Sequence, residues 1–229
     1  MAESDIKLLW ESDLAVAVDK PAGLATQAPA GIDSLESRLQ RQFDRRDSYL
    51  AFPHRLDRAV SGVILVALTK KAARLLSAQF ASRKTRKQYL AVVEGRIEVG
   101  RSSPQQWDDF VRKLEDQPRA EVCDESAPHA KPARTIVKTL ALDTVADRSL
   151  LELSPITGRM HQLRVQTASR GHPIVGDEMY GAAGSATGGA ANPHTGRILL
   201  HAHGLEFHDP SNGRLVRVES PCPFEFTSA

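Results

Sequence analysis

His54-Arg55-Leu56-Asp57-Arg58-Ala59-Val60-Ser61-Gly62-Val63-Ile64-Leu65-Val66-Ala67 places a His, an Arg and an Asp directly before a Ser-Gly pair and a continuous apolar run. A short run rich in β-branched residues and bounded by turn formers predicts a strand buried on both faces. Asp57 then lies on a loop at the entrance of that strand, where a rigid sheet can hold one carboxylate at a cleft. Taken alone, an Asp in a turn reads more simply as a cap or as a partner for Arg55. The rest of the chain has to decide between the two.

Working outward, four further segments carry comparable patterns. Val16-Ala17-Val18-Asp19-Lys20-Pro21-Ala22-Gly23-Leu24 is an apolar strand running into a tight turn shaped by Pro21 and Gly23. Lys87-Gln88-Tyr89-Leu90-Ala91-Val92-Val93-Glu94-Gly95 is rich in strand formers. The longest segment is Thr157-Gly158-Arg159-Met160-His161-Gln162-Leu163-Arg164-Val165, followed by Gly171-His172-Pro173-Ile174-Val175-Gly176-Asp177 and Tyr180-Gly181. Arg197-Ile198-Leu199-Leu200-His201-Ala202-His203-Gly204-Leu205-Glu206-Phe207 comes last and is closed by Ser220-Pro221-Cys222-Pro223.

In this order the five segments resemble the motifs of RluA-type RNA pseudouridine synthases, over most of the chain from about Leu8 to Phe226. The chain departs from that pattern at Val60, where Thr is usual, and at Met160, where Thr or Ser is common. Gln166 stands where many members carry His, and Ser220 where Ala is found. Met160 and Gln166 are expected to bear on substrate fit. His54 separates the chain from the neighbouring RsuA-type synthases, which typically have Gly there.

The resemblance implies an α+β fold: a curved, mainly antiparallel mixed sheet with flanking helices and loops, as in the pseudouridine synthase catalytic domain. It implies that Asp57 is the nucleophile acting on a flipped-out uridine. Tyr89, which alone would read as a packing residue, becomes the active-site tyrosine, stacking on uracil with its hydroxyl available for proton transfer. A carboxylate in a partly dry pocket needs a cation beside it, and Arg164 is the candidate because a guanidinium pairs bidentately and keeps its proton. Arg55 is expected to fill the space left by the flipped base or to meet the RNA backbone, and Leu163 to pack on the uracil. His54, Arg159 and His161 are further expected RNA contacts. His161 and Arg164 are three residues apart, which on a helix gives them one face.

Composition agrees without deciding. The chain has 229 residues, 41% hydrophobic and 25% charged, with a net charge of +2, which suits an ordinary globular protein and gives no bulk signal for nucleic acid. The charge is uneven: residues 54–101 hold eleven Lys/Arg against three Asp/Glu. Arg83, Lys84, Arg86 and Lys87 are the densest part. They read either as a solvated helix end or as a phosphate-contacting patch. Two cysteines, Cys123 and Cys222, make neither a disulfide framework nor a zinc site, and a reduced cytoplasmic setting fits. The first residues lack the pattern of a signal peptide, and no apolar run approaches a membrane span. His201 and His203 would share a strand face, but no carboxylate or Cys recurs at a zinc spacing, so no metal and no cofactor are expected.

The periodicities predict strands at 6–10 and 14–19, a helix at 33–46 capped by Asp33 or Ser34, and a helix at 70–82. The polar segment 101–132, with four prolines, is expected to hold only short strands and loops. Strands follow at 134–142 and 149–155, a helix at 160–170, a Gly/Ala-rich loop at 182–196 and closing strands at 197–207 and 214–220. Strands and helices mix without βαβ alternation, which argues α+β. One catalytic domain over residues 1–229 is expected, with no room before the first motif for an S4 RNA-binding domain, and the chain reads as a monomer. Substrate choice would then rest on its own basic surface, which suggests a stem-loop of tRNA or ribosomal RNA. Two other readings are weighed. A catalytically silent RNA-binding or ribosome-assembly factor sits poorly with the presence of Asp57, Tyr89 and Arg164. A His54/Asp57/Ser61 hydrolase lacks the Gly-x-Ser-x-Gly elbow.

Overall fold

The computed structural model describes residues 5–43, 49–100, 103–181 and 197–227. In chain order its elements are β1 (Leu8–Glu11), β2 (Ala15–Lys20), α1 (Leu35–Gln42), β3 (Ser61–Ala67), α2 (Lys70–Ala81) and β4 (Arg86–Glu94). They continue with β5 (Gln105–Lys113), β6 (Ala120–Cys123), β7 (Lys131–Asp143), β8 (Arg148–Pro155), α3 (Gln162–Ser169), β9 (Leu200–His208) and β10 (Leu215–Glu219). The chain divides into two compact units, Met1–Lys87 with Ala202–Cys222, and Gln88–His201 with Pro223–Ala229. Helices and mainly antiparallel strands without βαβ alternation make the α+β class expected from the sequence.

In the first unit β1 pairs with β2 and β2 with β3, both antiparallel. β9 lies on the other side of β3, and β10 pairs antiparallel with β9. All seven residues of β3 are buried, as its unbroken apolar run predicts. Val63, Leu65 and Ala67 pack with Ala72 and Leu76 of α2 and with Leu205 and Phe207 of β9. Truncating a fully buried leucine such as Leu76 in a core of this kind costs about 2–5 kcal/mol. Gly62 has φ +116, and a Cβ there would run into the Ala202 carbonyl, so the Ser-Gly pair is where β3 and β9 need a residue without a side chain.

Two helix boundaries of this unit have local causes. Thr69 Oγ1 accepts the Ala72 N–H (3.1 Å) and starts α2, which ends one residue before the expected boundary, with Ser82 as its C-cap. α1 is shorter than expected. Ser34, not Asp33, is its cap, in a reciprocal pair with Ser37, while Asp33 binds Arg38. The end of the expected helix, from residue 44, lies outside the described residues.

In the second unit the order is β4–β8–β7–β5–β6, every neighbour antiparallel. Here the expectation for 101–132 needs correcting. β5 is a full nine-residue strand, and β7 begins at Lys131 and runs through Pro132. The proline is tolerated because it is the second residue of the strand. β7 alternates cleanly, with Ala133, Thr135, Val137 and Thr139 buried and Arg134, Ile136 and Leu140 exposed. Val165 of α3 packs with Val111, Ala120 and Ala133. α3 starts two residues later than expected, because His161 sits at its N-cap in the left-handed region with φ 51. The expected loop at 182–196 lies outside the described residues. Among those residues no helix is long and apolar enough to cross a membrane.

Candidate active site

Asp57 is half-buried on the loop that leads into β3. Several hydrogen bonds to its backbone hold the loop. The Val60 N–H donates to the Asp57 carbonyl (3.0 Å) and Thr26 Oγ1 to the Leu56 carbonyl (3.0 Å). Arg58 exchanges two bonds with Gly23: its carbonyl accepts the Gly23 N–H and its Nε donates to the Gly23 carbonyl, each at 2.8 Å. Beneath them sits Lys20, with no exposed surface. Its ammonium donates to the carbonyls of Leu24 (2.7 Å), Pro21 (2.9 Å) and Arg58 (3.3 Å). Burial pulls its pKa down to about 8, and the Asp57 carboxylate opposes that shift.

Lys20 is thus a cation near Asp57 that the sequence reading missed, having taken only Pro21 and Gly23 as meaningful. The signal was available. Lys20 ends the strand Ala15-Val16-Ala17-Val18-Asp19-Lys20, whose first four residues are all buried, and a lysine in register with a buried run needs a reason.

His54 belongs to the framework of the same loop. Its Nε2 accepts the Leu65 N–H (2.9 Å), and its ring stacks on Phe80 at 4.6 Å between centroids. Burial, helped by the positive charge of Lys87, holds its pKa down to about 3, so the ring is neutral with its proton on Nδ1. Arg55 is exposed, as are Arg83, Lys84 and Arg86. Lys87 is half-buried, and burial lowers its pKa to about 8.

The second unit holds Tyr89, Arg159, His161, Leu163 and Arg164. Tyr89 is half-buried on β4, opposite Leu153 of β8. Arg164 on α3 is buried and pairs bidentately with Asp177, Nε to Oδ2 and a terminal nitrogen to Oδ1, both at 2.7 Å. Asp177 also accepts the backbone N–H groups of Met179 and Tyr180. The Arg164 guanidinium lies 5.0 Å from the centroid of the Tyr180 ring. The Tyr180 hydroxyl accepts the Ala120 N–H (2.8 Å) and sits 2.8 Å from His161 Nδ1. Desolvation raises the Tyr180 pKa.

His161 and Arg164 do come together, but not along one helix face as the sequence suggested; they meet on Tyr180. Asp177 and Tyr180 are the residues the sequence reading quoted without giving a role. Leu163 is buried on α3, and Arg159 donates from Nε to the Pro132 carbonyl (2.9 Å). Gln166, read as a residue bearing on substrate fit, is fully buried. It accepts from Thr135 Oγ1 (2.6 Å) and donates to Asp109 (2.6 Å) and the Ala133 carbonyl (3.2 Å). The turn before Asp177 is clipped to β4. Val175 N–H donates to Val92 and Glu94 N–H to Pro173, both at 2.9 Å, while Gly176, at φ +79, has no room for a Cβ against the Arg197 carbonyl. His203 Nδ1 sits 2.8 Å from the Ser220 carbonyl, and among the described residues no group of His, Cys, Asp and Glu could hold a metal ion.

Comparison with known proteins agrees with this chemistry. The family model described as RNA pseudouridylate synthase matches residues 14–169, a stretch that contains Lys20, Asp57, Tyr89 and Arg164. The dual-specificity RNA pseudouridine synthase RluA of Escherichia coli K12 is 35% identical over 228 residues, covering 95% of this chain and 93% of its own. The ribosomal large subunit pseudouridine synthase C of Vibrio parahaemolyticus is 32% identical, covering 96% of this chain and 67% of its own. Among solved structures, human RNA pseudouridylate synthase domain containing 1 superposes with a TM-score of 0.76 at 29% identity, over 98% of this chain and 88% of that one. The chain therefore belongs to the RNA pseudouridylate synthases, RluA type, and is an isomerase that converts uridine to pseudouridine in RNA.

Proposed function

We propose that the substrate is a uridine in a stem-loop of tRNA or ribosomal RNA, and that Asp57 is the nucleophile. The reaction breaks the bond between uracil N1 and ribose C1′, forms one from C5 to C1′, and moves the C5 proton to N1. It consumes no reductant, group donor or metal. A uridine in a loop is cheaper to flip out than one in a duplex, by a few kcal/mol of unstacking. Two relatives named for dual specificity and for the ribosomal large subunit support more than one RNA as target.

The observation that carries the assignment is the loop of Asp57. Thr26, Arg58 and Lys20 donate to main-chain carbonyls on either side of it, which fixes the backbone that carries the carboxylate, and the buried Lys20 ammonium lies close enough for the two charges to interact. Tyr89 stacks on the uracil and relays the proton, Arg164 supplies the cationic partner of the nucleophile, and Leu163 packs on the base. Arg55 contacts the RNA at the vacated position, with Arg83, Lys84, Arg86, Lys87, Arg159 and His161 on the backbone. His54 serves by holding the loop. Both units act as one catalytic domain, in a cytoplasmic monomer.

The test is tritium release from total tRNA and ribosomal RNA labelled at uridine C5, taken from cells lacking the protein. The wild type should release tritium, and Asp57→Ala should not, while keeping its fold and its RNA affinity. Release by Asp57→Ala at the wild-type rate would overturn the assignment.

A further inference from the structure

From Arg58 to Val93 the chain carries eight Lys/Arg and no Asp or Glu. α2 lies within this stretch. It buries Ala72 and Leu76 in the core and half-buries Ala73 and Phe80, so its opposite side faces solvent. That side presents Lys70, Lys71 and Arg74, then the small residues Ser77, Ala78 and Ala81, and passes into Arg83, Lys84 and Arg86, all exposed. A helix of twelve residues is about 18 Å long, enough to follow several phosphates of a nucleic-acid backbone.

Helix stability does not account for these cations. Lys70 and Lys71 occupy the first turn, next to the Thr69 cap, and that turn has no acidic residue. Positive charge there opposes the helix dipole. The last turn, where a cation would be favourable, has none. No acid on the helix offsets the lysines, and in this unit Glu206 is shared between Arg86 (4.0 Å) and Arg217 (2.9 Å), away from the first turn. A charge placed where folding disfavours it points to a ligand of opposite sign. The small residues between the two cationic ends let a backbone approach closely.

The geometry points to the solvent face of α2, from Lys70 to Arg86, as a docking surface for the phosphate backbone of the substrate RNA outside the target loop. The inference rests on the RNA substrate proposed above and adds a second contact region to it. Phe80, on the inner side of the same helix, stacks on His54, three residues before Asp57, so RNA held on α2 is held on the framework of the nucleophile's loop.

The test is the triple variant Lys70→Gln/Lys71→Gln/Arg74→Gln, assayed on the full chain in two ways. Binding to a 20-base-pair RNA duplex of arbitrary sequence, followed against salt, should weaken at least about tenfold at low salt, and the slope of log affinity on log salt should shrink by about two to three. Tritium release from total RNA should show a raised KM with kcat within about twofold of wild type. The variant should melt at or above the wild-type temperature, because two unfavourable charges have gone. Unchanged duplex affinity, slope and KM would overturn the inference and leave an acidic protein surface as the partner of α2. A fall in kcat with KM unchanged would overturn it too. The duplex assay reads binding alone, so its result stands whether or not the wild type turns over; an inactive wild type with intact binding would instead sink the reading of Asp57.

Discussion

The loop of Asp57 and the niche of Arg164 are fastened in opposite ways. Around Asp57 the accepting atoms are main-chain carbonyls: Leu56 takes a bond from Thr26, Gly23 one from Arg58, and Pro21, Leu24 and Arg58 all take bonds from Lys20. Around Arg164 the ties run from side chain to side chain, through Asp177, Tyr180 and His161, with the Gln162 and Gln166 amides behind them. Carbonyls are present whatever the sequence, so the first arrangement depends on few identities, in two short segments at 20–26 and 56–58. The second needs particular residues at five positions drawn from separate segments. The Asp57 loop is therefore held through chain geometry and Arg164 through side-chain chemistry, and substitutions should separate the two.

The largest effect is expected at Asp177. Its side chain has no exposure and that of Arg164 only 9%, so Asp177→Ala takes a bidentate partner from a buried guanidinium. Breaking a buried pair from one side costs about 3–5 kcal/mol, to be read from denaturant unfolding at neutral pH. Asp177→Asn keeps one acceptor and should cost less. A loss below about 1 kcal/mol for Asp177→Ala would mean that the side-chain network is not what holds Arg164.

Lys20 sharpens the comparison from the other side, since it is the buried charge among the donors to those carbonyls. Its pKa falls from 10.5 to about 8 on folding. Between these values the unfolded chain keeps a proton that the folded chain has released, so stability rises with pH across the window and is lower below it. For a fully buried group the rise is at most about 3 kcal/mol. Lys20→Met should abolish it, measured as unfolding free energy at pH 7.5 and pH 10. Activity should move the opposite way. As Lys20 loses its proton the cation near Asp57 disappears, so the wild-type rate should fall through about pH 8, whereas Lys20→Met should have a lower plateau and no such limb. An alkaline limb that persists in Lys20→Met would detach Lys20 from the nucleophile.

The same contrast explains what could be read in the sequence. Asp57 was legible because the motif around it, from His54 to Gly62, is contiguous, whereas Lys20 and Thr26 come from an earlier segment. The strand after it was legible because a run buried on both faces has no competing pattern. Arg164 was read as the bidentate partner of Asp57; its pair with Asp177 was not legible, since Asp177 is thirteen residues further on and its role depends on how α3 and the following turn fold. His54 looked like an RNA contact because a histidine in a charged motif gives no sign that its Nε2 will accept the amide of Leu65, eleven residues away. β5 was hidden by charge: in Gln105-Gln106-Trp107-Asp108-Asp109-Phe110 the inward residues are few, and Asp109 is placed by Arg170 and Gln166, neither of which is near it in sequence. The start of α3 was misplaced because His161 adopts a left-handed conformation that propensity assigns to glycine or asparagine.

The smallest effect, and the finest division, is expected at Tyr180. Tyr180→Phe keeps the ring that lies 5.0 Å from the Arg164 guanidinium and 5.4 Å from that of Arg119, and removes only the hydroxyl. The Ala120 amide then loses its acceptor, at a cost of about 1–2 kcal/mol in unfolding free energy. His161 Nδ1 loses its hydrogen-bond partner at 2.8 Å, so its nitrogen shifts in a 15N spectrum should move. If isomerisation stays within about threefold of wild type while those shifts change, the orientation of His161 serves the architecture of the second unit. If kcat falls further than that with KM unchanged, the hydroxyl reaches the chemistry through His161, and the side-chain network does more than hold Arg164 in place.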